Sequence, residues 1–80
     1  MDVMETIRAR YSEVSSVQKR IADYCLEHPD AASFQTLREF AQTTHTTDAT
    51  VLKFCHNMGY HGFLAFRRQL QEYVRMRLSP

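Results

Sequence analysis

A short capped helix, a polar turn and a second capped helix follow one another between Thr36 and Gly59, and this succession constrains the fold more than any other feature. Thr36 and Glu39 have capping-box spacing, in which the Thr oxygen accepts the third amide and the Glu side chain returns to the cap amide. Leu37, Phe40 and Ala41 then supply one apolar stripe of about two turns before the polar run Gln42, Thr43, Thr44, His45 and Thr46 interrupts it. Thr47 is a good N-cap for the next helix, and Asp48 falls where the positive end of the helix dipole favours an anion. Val51, Phe54, Cys55 and Met58 form the buried stripe of that helix, and Gly59 closes it by taking the left-handed conformation most easily.

The flanking segments are helical by the same criterion. Val3, Ile7, Tyr11 and Val14 recur every three or four residues, predicting a helix from Asp2 to Glu13. Ser15 and Gln18 again have capping-box spacing, and Val17, Ile21, Tyr24, Cys25 and His28 line the helix that follows. Pro29 stops that helix by disfavouring helical geometry at the residue before it, which leaves Asp30 to Gln35 as a connecting loop. Beyond Gly62, the residues Phe63, Phe66, Leu70, Val74 and Leu78 predict a last helix from Phe63 to Arg77. The expectation is an all-α, five-helix domain of homeodomain-like helix-turn-helix type. With 80 residues and only two glycines and two prolines, one small helical core is all the chain can build.

Charge and cysteine usage narrow the function. The net charge is +1, but the first fifty residues sum to −3 and the last thirty to +4, where Lys53, Arg67, Arg68, Arg75 and Arg77 face Glu72 alone. Such asymmetry suits either a partner-binding face or a solvated helix surface. Among the arginines, those at the start of the last helix are the candidates for a phosphate contact. Cys25 and Cys55 sit in apolar periodic positions with no Cys or His partner at zinc-finger spacing, so both read as small core hydrophobes suited to a reducing cytosol. His28, His45, His56 and His61 lack the i, i+4 pairing of a helical zinc site, and no metal or other cofactor is expected. Cys55 and His56 are neighbours in sequence, so on a helix they point about 100 degrees apart and do not form a nucleophile–base pair. No enzyme site emerges. No apolar run approaches the roughly 18 residues of a membrane span, and the acidic start with Asp2 and Glu5 is unlike a secretory leader, so the expected location is the cytoplasm.

The second capped helix carries the chemistry. With Val51, Phe54, Cys55 and Met58 inward, helical spacing turns Asp48, Ala49, Thr50, Lys53, His56 and Asn57 wholly or partly outward. A recognition helix presents its N-terminal residues to base edges in the major groove, so Asp48, Ala49 and Thr50 come closest and Lys53 lies one turn on. Thr methyls suit thymine, while Lys suits guanine or phosphate. Thr36 and Thr47, at the starts of the two motif helices, complete the candidate DNA-binding set. The alternative is a helical protein–protein interaction module, which would present an apolar face where this helix presents a polar one.

The run QKRIADYCLEHPD, followed by TLREFAQTTHTTDATVLKFCHNMGYHGFLAFRRQL, resembles the N-terminal domain of RpiR-family bacterial transcription regulators. Ser15 to Pro29 resembles the family's second helix, Thr36 to Ala41 its first motif helix, and Thr47 to Gly62 its recognition helix with the following turn. The resemblance implies an RpiR-type domain over residues 1–77, with residues 78–80 starting a linker to a C-terminal sugar-isomerase-like domain that senses a phosphosugar. It also implies double-stranded operator DNA as partner and a homodimer or higher oligomer as the binding species. Three positions depart from the family's pattern. His45 stands where glycine is common, Thr46 where an aliphatic residue is usual, and Lys53 where arginine is common, a point charge in place of a planar fork.

Overall fold

Four of the six helices described carry a side-chain cap at their start in the computed structural model, which describes residues 1–78. Asp2 caps α1 (Val3–Arg10) with a full capping box, accepting the Glu5 amide at 2.9 Å while Glu5 returns to the Asp2 amide. The predicted first helix is therefore α1 plus a 3-10 turn, Tyr11–Glu13. Ser15 caps α2 (Ser16–Glu27) through the Gln18 amide at 3.2 Å. Here the box is only half made, because the Gln18 side chain is buried and bonded elsewhere. The inner stripe of α2 is Gln18, Ile21, Ala22 and Cys25, whereas Val17 and His28, expected inside, are exposed. A buried glutamine with a partner of its own outcompetes the neighbouring valine for the inward position.

The segment expected as a loop is instead a sixth helix, α3 (Pro29–Phe34). Pro29 does end α2, since His28 adopts φ −134 and ψ 57, but proline is also preorganised for the first position of a helix. The same residue thus stops one helix and starts the next. Further on come α4 (Leu37–Thr43), α5 (Asp48–Asn57) and α6 (Phe63–Leu78), as the capping and periodicity predict. The all-α helix-turn-helix architecture holds, with six helices among the described residues.

Packing is organised around α6. α3 lies along it, with the Gln71 side-chain amide donating to the Ser33 carbonyl at 2.9 Å and the Arg67 guanidinium to the Gln35 carbonyl at 3.1 Å. α1 and α5 also rest on α6, α4 rests on α5, and α2 bridges α5 and α3. Phe66 of α6 is the hub: it meets Phe54 at 5.8 Å, Tyr60 at 5.5 Å and Phe40 at 6.4 Å, all edge-on as aromatic quadrupoles prefer. Met4, Ile7, Ile21, Val51 and Leu70 close the core around this cluster. The stripe of α6 stays buried only through Leu70: Val74 is half-buried, and Leu78 is 80% exposed. Of the three residues expected to start a linker, Leu78 is the last residue of α6, and 79 and 80 lie outside the described residues.

Candidate nucleic-acid interface

The two motif helices are joined by a hydrogen-bonded turn. At the end of α4 the Thr46 amide donates to the Ala41 carbonyl at 2.9 Å and the His45 amide to the Gln42 carbonyl at 3.1 Å. These two bonds make a Schellman motif whose left-handed residue is His45, at φ 56. Arg20 of α2 donates to the His45 carbonyl at 2.9 Å, which pins the turn to the body of the domain. Thr46, polar where the core would accept an aliphatic residue, bonds its hydroxyl to that of buried Thr44 at 2.9 Å. α5 closes in the same way, with Tyr60 donating to Cys55 and Gly59 to His56, both at 2.9 Å, and Gly59 at φ 95. The turn between the motif helices is thus as well defined with histidine as the other is with glycine.

Both motif helices begin on threonine caps. Thr36 and Glu39 form the reciprocal box on α4, and hydrogen bonding from Thr36, led by its main-chain amide at 2.9 Å, holds the Glu39 carboxyl below its ordinary range. Thr47 accepts the Thr50 amide at 3.2 Å, and the two hydroxyls meet at 3.0 Å. Thr36 and Thr47 are exposed, while Thr50 is half-buried.

With Val51, Phe54 and Cys55 fully buried, the outermost stripe of α5 is Ala49, Leu52, Lys53 and His56. Sequence reasoning omitted Leu52, although the helical phase that selects Ala49, Lys53 and His56 selects it as well. His56 donates from Nε2 to the His61 carbonyl at 3.0 Å, so its ring is tethered to the turn after α5. Asn57 lies at the far end of α5, and its side-chain amide is engaged with Gln18 of α2 at 2.9 Å. Asp48, at the first position of α5, receives the Nε of Arg38 at 3.2 and 3.3 Å on its two oxygens. Of the candidate arginines, Arg67 is taken up by the Gln35 carbonyl and by the ring of Phe63. Arg68 is exposed.

The other reactive-looking groups are occupied by the core. Burial pushes the Cys55 thiol up to about 12 and the Cys25 thiol higher still, so neither furnishes a thiolate near neutral pH. Among the described residues, no group of three His, Cys, Asp or Glu side chains is placed to hold a metal ion. No helix among them is long and apolar enough to cross a membrane.

A short helix held by a pinned turn against a longer one, whose outer face is open and whose inner face is core, defines a helix-turn-helix DNA-binding domain. Comparison with known proteins agrees. Residues 1–77 match the helix-turn-helix domain of the rpiR family, and the chain belongs to that family. It is 33% identical over 72 residues to the HTH-type transcriptional regulator YfhH of Escherichia coli, covering 90% of this chain and 26% of that protein. Among solved structures it is similar to the Vibrio vulnificus NanR protein complexed with ManNAc-6P, with a TM-score of 0.89 and 31% identity over 96% of this chain and 30% of NanR. It is also similar to the N-terminal domain of the transcriptional regulator ybbH of Bacillus subtilis, with a TM-score of 0.81 and 25% identity over 86% of this chain and 84% of that one. The chain thus spans about a quarter of the length of the curated relatives it matches. The described chain is a helix-turn-helix DNA-binding module of that family.

Proposed function

We propose that α5 enters the major groove of a double-stranded operator and that its outer face reads the sequence. The observation that carries this reading is the division of α5 into a fully buried side and an uncovered one, on which Ala49, Leu52, Lys53 and His56 line up with Thr50 at the edge. Ala49, Leu52 and the Thr50 methyl suit thymine methyls, and Lys53 suits a phosphate or a guanine edge. Thr36, Thr47 and Asp48 flank the groove from the helix starts. Asn57, whose amide is engaged with Gln18, contributes by holding the far end of α5 in place.

The operator-binding species is a homodimer or higher oligomer, as the two-fold symmetry of most operators requires. Apolar surface at the α3–α6 edge supports self-association: Phe34 is 78% exposed and Leu78 80%, with half-buried Val74 lining the same groove. By likeness to NanR, whose structure holds ManNAc-6P, we assign the whole regulator to sugar or sugar-phosphate metabolism, with a phosphosugar bound by a sugar-isomerase-like domain C-terminal to this one. Such a regulator works in the cytoplasm, where its operator and effector are. Selection of bound sequences from a random duplex pool tests the reading. Enrichment of a palindrome supports it; a pool that stays random at low salt refutes sequence-specific binding by α5.

A further inference from the structure

Resting on the reading of α5 as the recognition helix, we propose that Arg38 of α4 is a DNA-phosphate contact and that Asp48 acts by holding it, not by touching DNA. Arg38 is in the first turn of the helix that, in this motif, crosses the DNA backbone. Its side chain reaches across to the first residue of α5, where the two oxygens of Asp48 accept from Nε at 3.2 and 3.3 Å. The two terminal nitrogens of the guanidinium make no hydrogen bond to that carboxylate. No hydrogen bond within the protein engages them among the described residues, and the Arg38 side chain is 73% exposed. A guanidinium has five N–H donors in a rigid plane, so one edge can be fixed by a carboxylate while the other meets a phosphate.

The arrangement also resolves a conflict in charge. Asp48 stabilises the start of α5 through the helix dipole, yet a bare carboxylate at the leading end of a recognition helix repels the phosphates it approaches. Arg38 neutralises that carboxylate and adds a donor edge facing outward. The carboxylate in turn restricts a long side chain that would otherwise lose rotamer freedom on binding. Arg38 and Asp48 therefore act as one unit, and removing Asp48 has a different sign of effect according to whether Arg38 is present.

The test measures binding of the chain and its variants to a labelled duplex of arbitrary sequence, at several salt concentrations, with thermal unfolding as a check on folding. Arg38→Ala should weaken binding roughly three- to tenfold and reduce the salt slope by about one. Asp48→Asn removes a negative charge, yet should weaken binding in the otherwise unchanged chain because Arg38 is released. In the Arg38→Ala background the same Asp48→Asn change should strengthen binding, because it then removes an unneutralised anion facing the DNA. Strengthening in both backgrounds would overturn the proposal, as would an unchanged salt slope in Arg38→Ala. Lys53→Ala serves as the reference for the recognition-helix reading. Loss in Lys53→Ala with none in Arg38→Ala sinks this inference alone, whereas no loss in either sinks the reading on which it rests.

Discussion

Gln18 and Asn57 are joined side chain to side chain at 2.9 Å although 39 residues apart, tying the start of α2 to the end of α5. Gln18 is 5% exposed, so its carbonyl has little water to fall back on. The Arg10 guanidinium donates to the Asn57 main-chain carbonyl at 2.8 Å, so α1 grips the same point. The C-terminal end of α5 is thus clamped by two other helices, which fixes the angle at which its N-terminal end projects.

Asn57→Ala should lower stability by about 1–3 kcal/mol, because the buried Gln18 oxygen loses its donor. In a domain of this size that is a fall in Tm of roughly 4–8 °C per kcal/mol. Base preference should stay as it is. A variant with unchanged Tm and a relaxed preference at one base pair would instead make Asn57 a reader.

His45 and Gly59 occupy equivalent left-handed positions, at φ 56 and φ 95, and should respond oppositely to substitution. A Cβ at Gly59 meets nothing within 4 Å, so Gly59→Ala carries only the backbone cost, about 1–2 kcal/mol. His45→Gly relieves a cost of that kind but loosens the unfolded chain by about 0.4–1 kcal/mol, leaving a net gain of up to about 1.6 kcal/mol. The Arg20 bond survives the change, since it goes to the main-chain carbonyl. Urea unfolding of both variants checks the pair, and destabilisation by His45→Gly would mean that the imidazole itself supports the turn.

Which parts of this molecule were legible in its sequence follows from the chemistry of each signal. Thr36 with Glu39, Thr47 and Gly59 act on amides and carbonyls within a turn of themselves, so the motif helices could be placed from local residues alone. α3 was missed because Pro29 carries two local meanings at once, and only the docking of Ser33 and Gln35 carbonyls onto Gln71 and Arg67, more than thirty residues away, selects the helical one. Val17 was misplaced for a related reason: a hydrophobicity pattern cannot register that Gln18 has a partner at Asn57. At the interface, the inward stripe gave the outward one by subtraction. The pairing of Asp48 with Arg38 lay beyond it, since it depends on how α4 crosses α5.

The two cysteines should be inert in the native state. Cys55 is fully buried and its thiol is raised from an ordinary 9.0 to about 12, with Cys25 raised further. Iodoacetamide at pH 8 should label neither until urea unfolds the domain. The same shifts make stability depend on alkali. Below about pH 9 both thiols are neutral, folded or unfolded, and their contribution is complete; as pH rises from 9 toward 12 the unfolded thiols ionise first, and stability falls. Rapid native-state labelling would show that the core opens around α2 and α5.

Thr50 and Lys53 lie one turn apart on α5, and their environments assign them separate tasks. The Thr50 hydroxyl is bonded to Thr47 at 3.0 Å, which leaves its methyl as the group to meet DNA. Lys53 is exposed and carries a full charge on a flexible stem. Thr50→Ala should therefore cost about 1–3 kcal/mol at the preferred site and relax the preference at one A·T pair, with little change on scrambled duplex. Thr50→Val keeps a methyl and loses the hydroxyl, so it should retain most of the preference; loss as large as in Thr50→Ala would mean that the hydroxyl turns from Thr47 to a base. Lys53→Ala should weaken matched and scrambled duplexes alike and lower the salt slope by about one, the mark of a phosphate contact. Anisotropy titrations on both duplexes at several salt concentrations separate these outcomes. A Lys53→Ala loss confined to one G·C position would move Lys53 from the backbone to the groove floor, and would mean that α5 sits deeper than its N-terminal residues alone require.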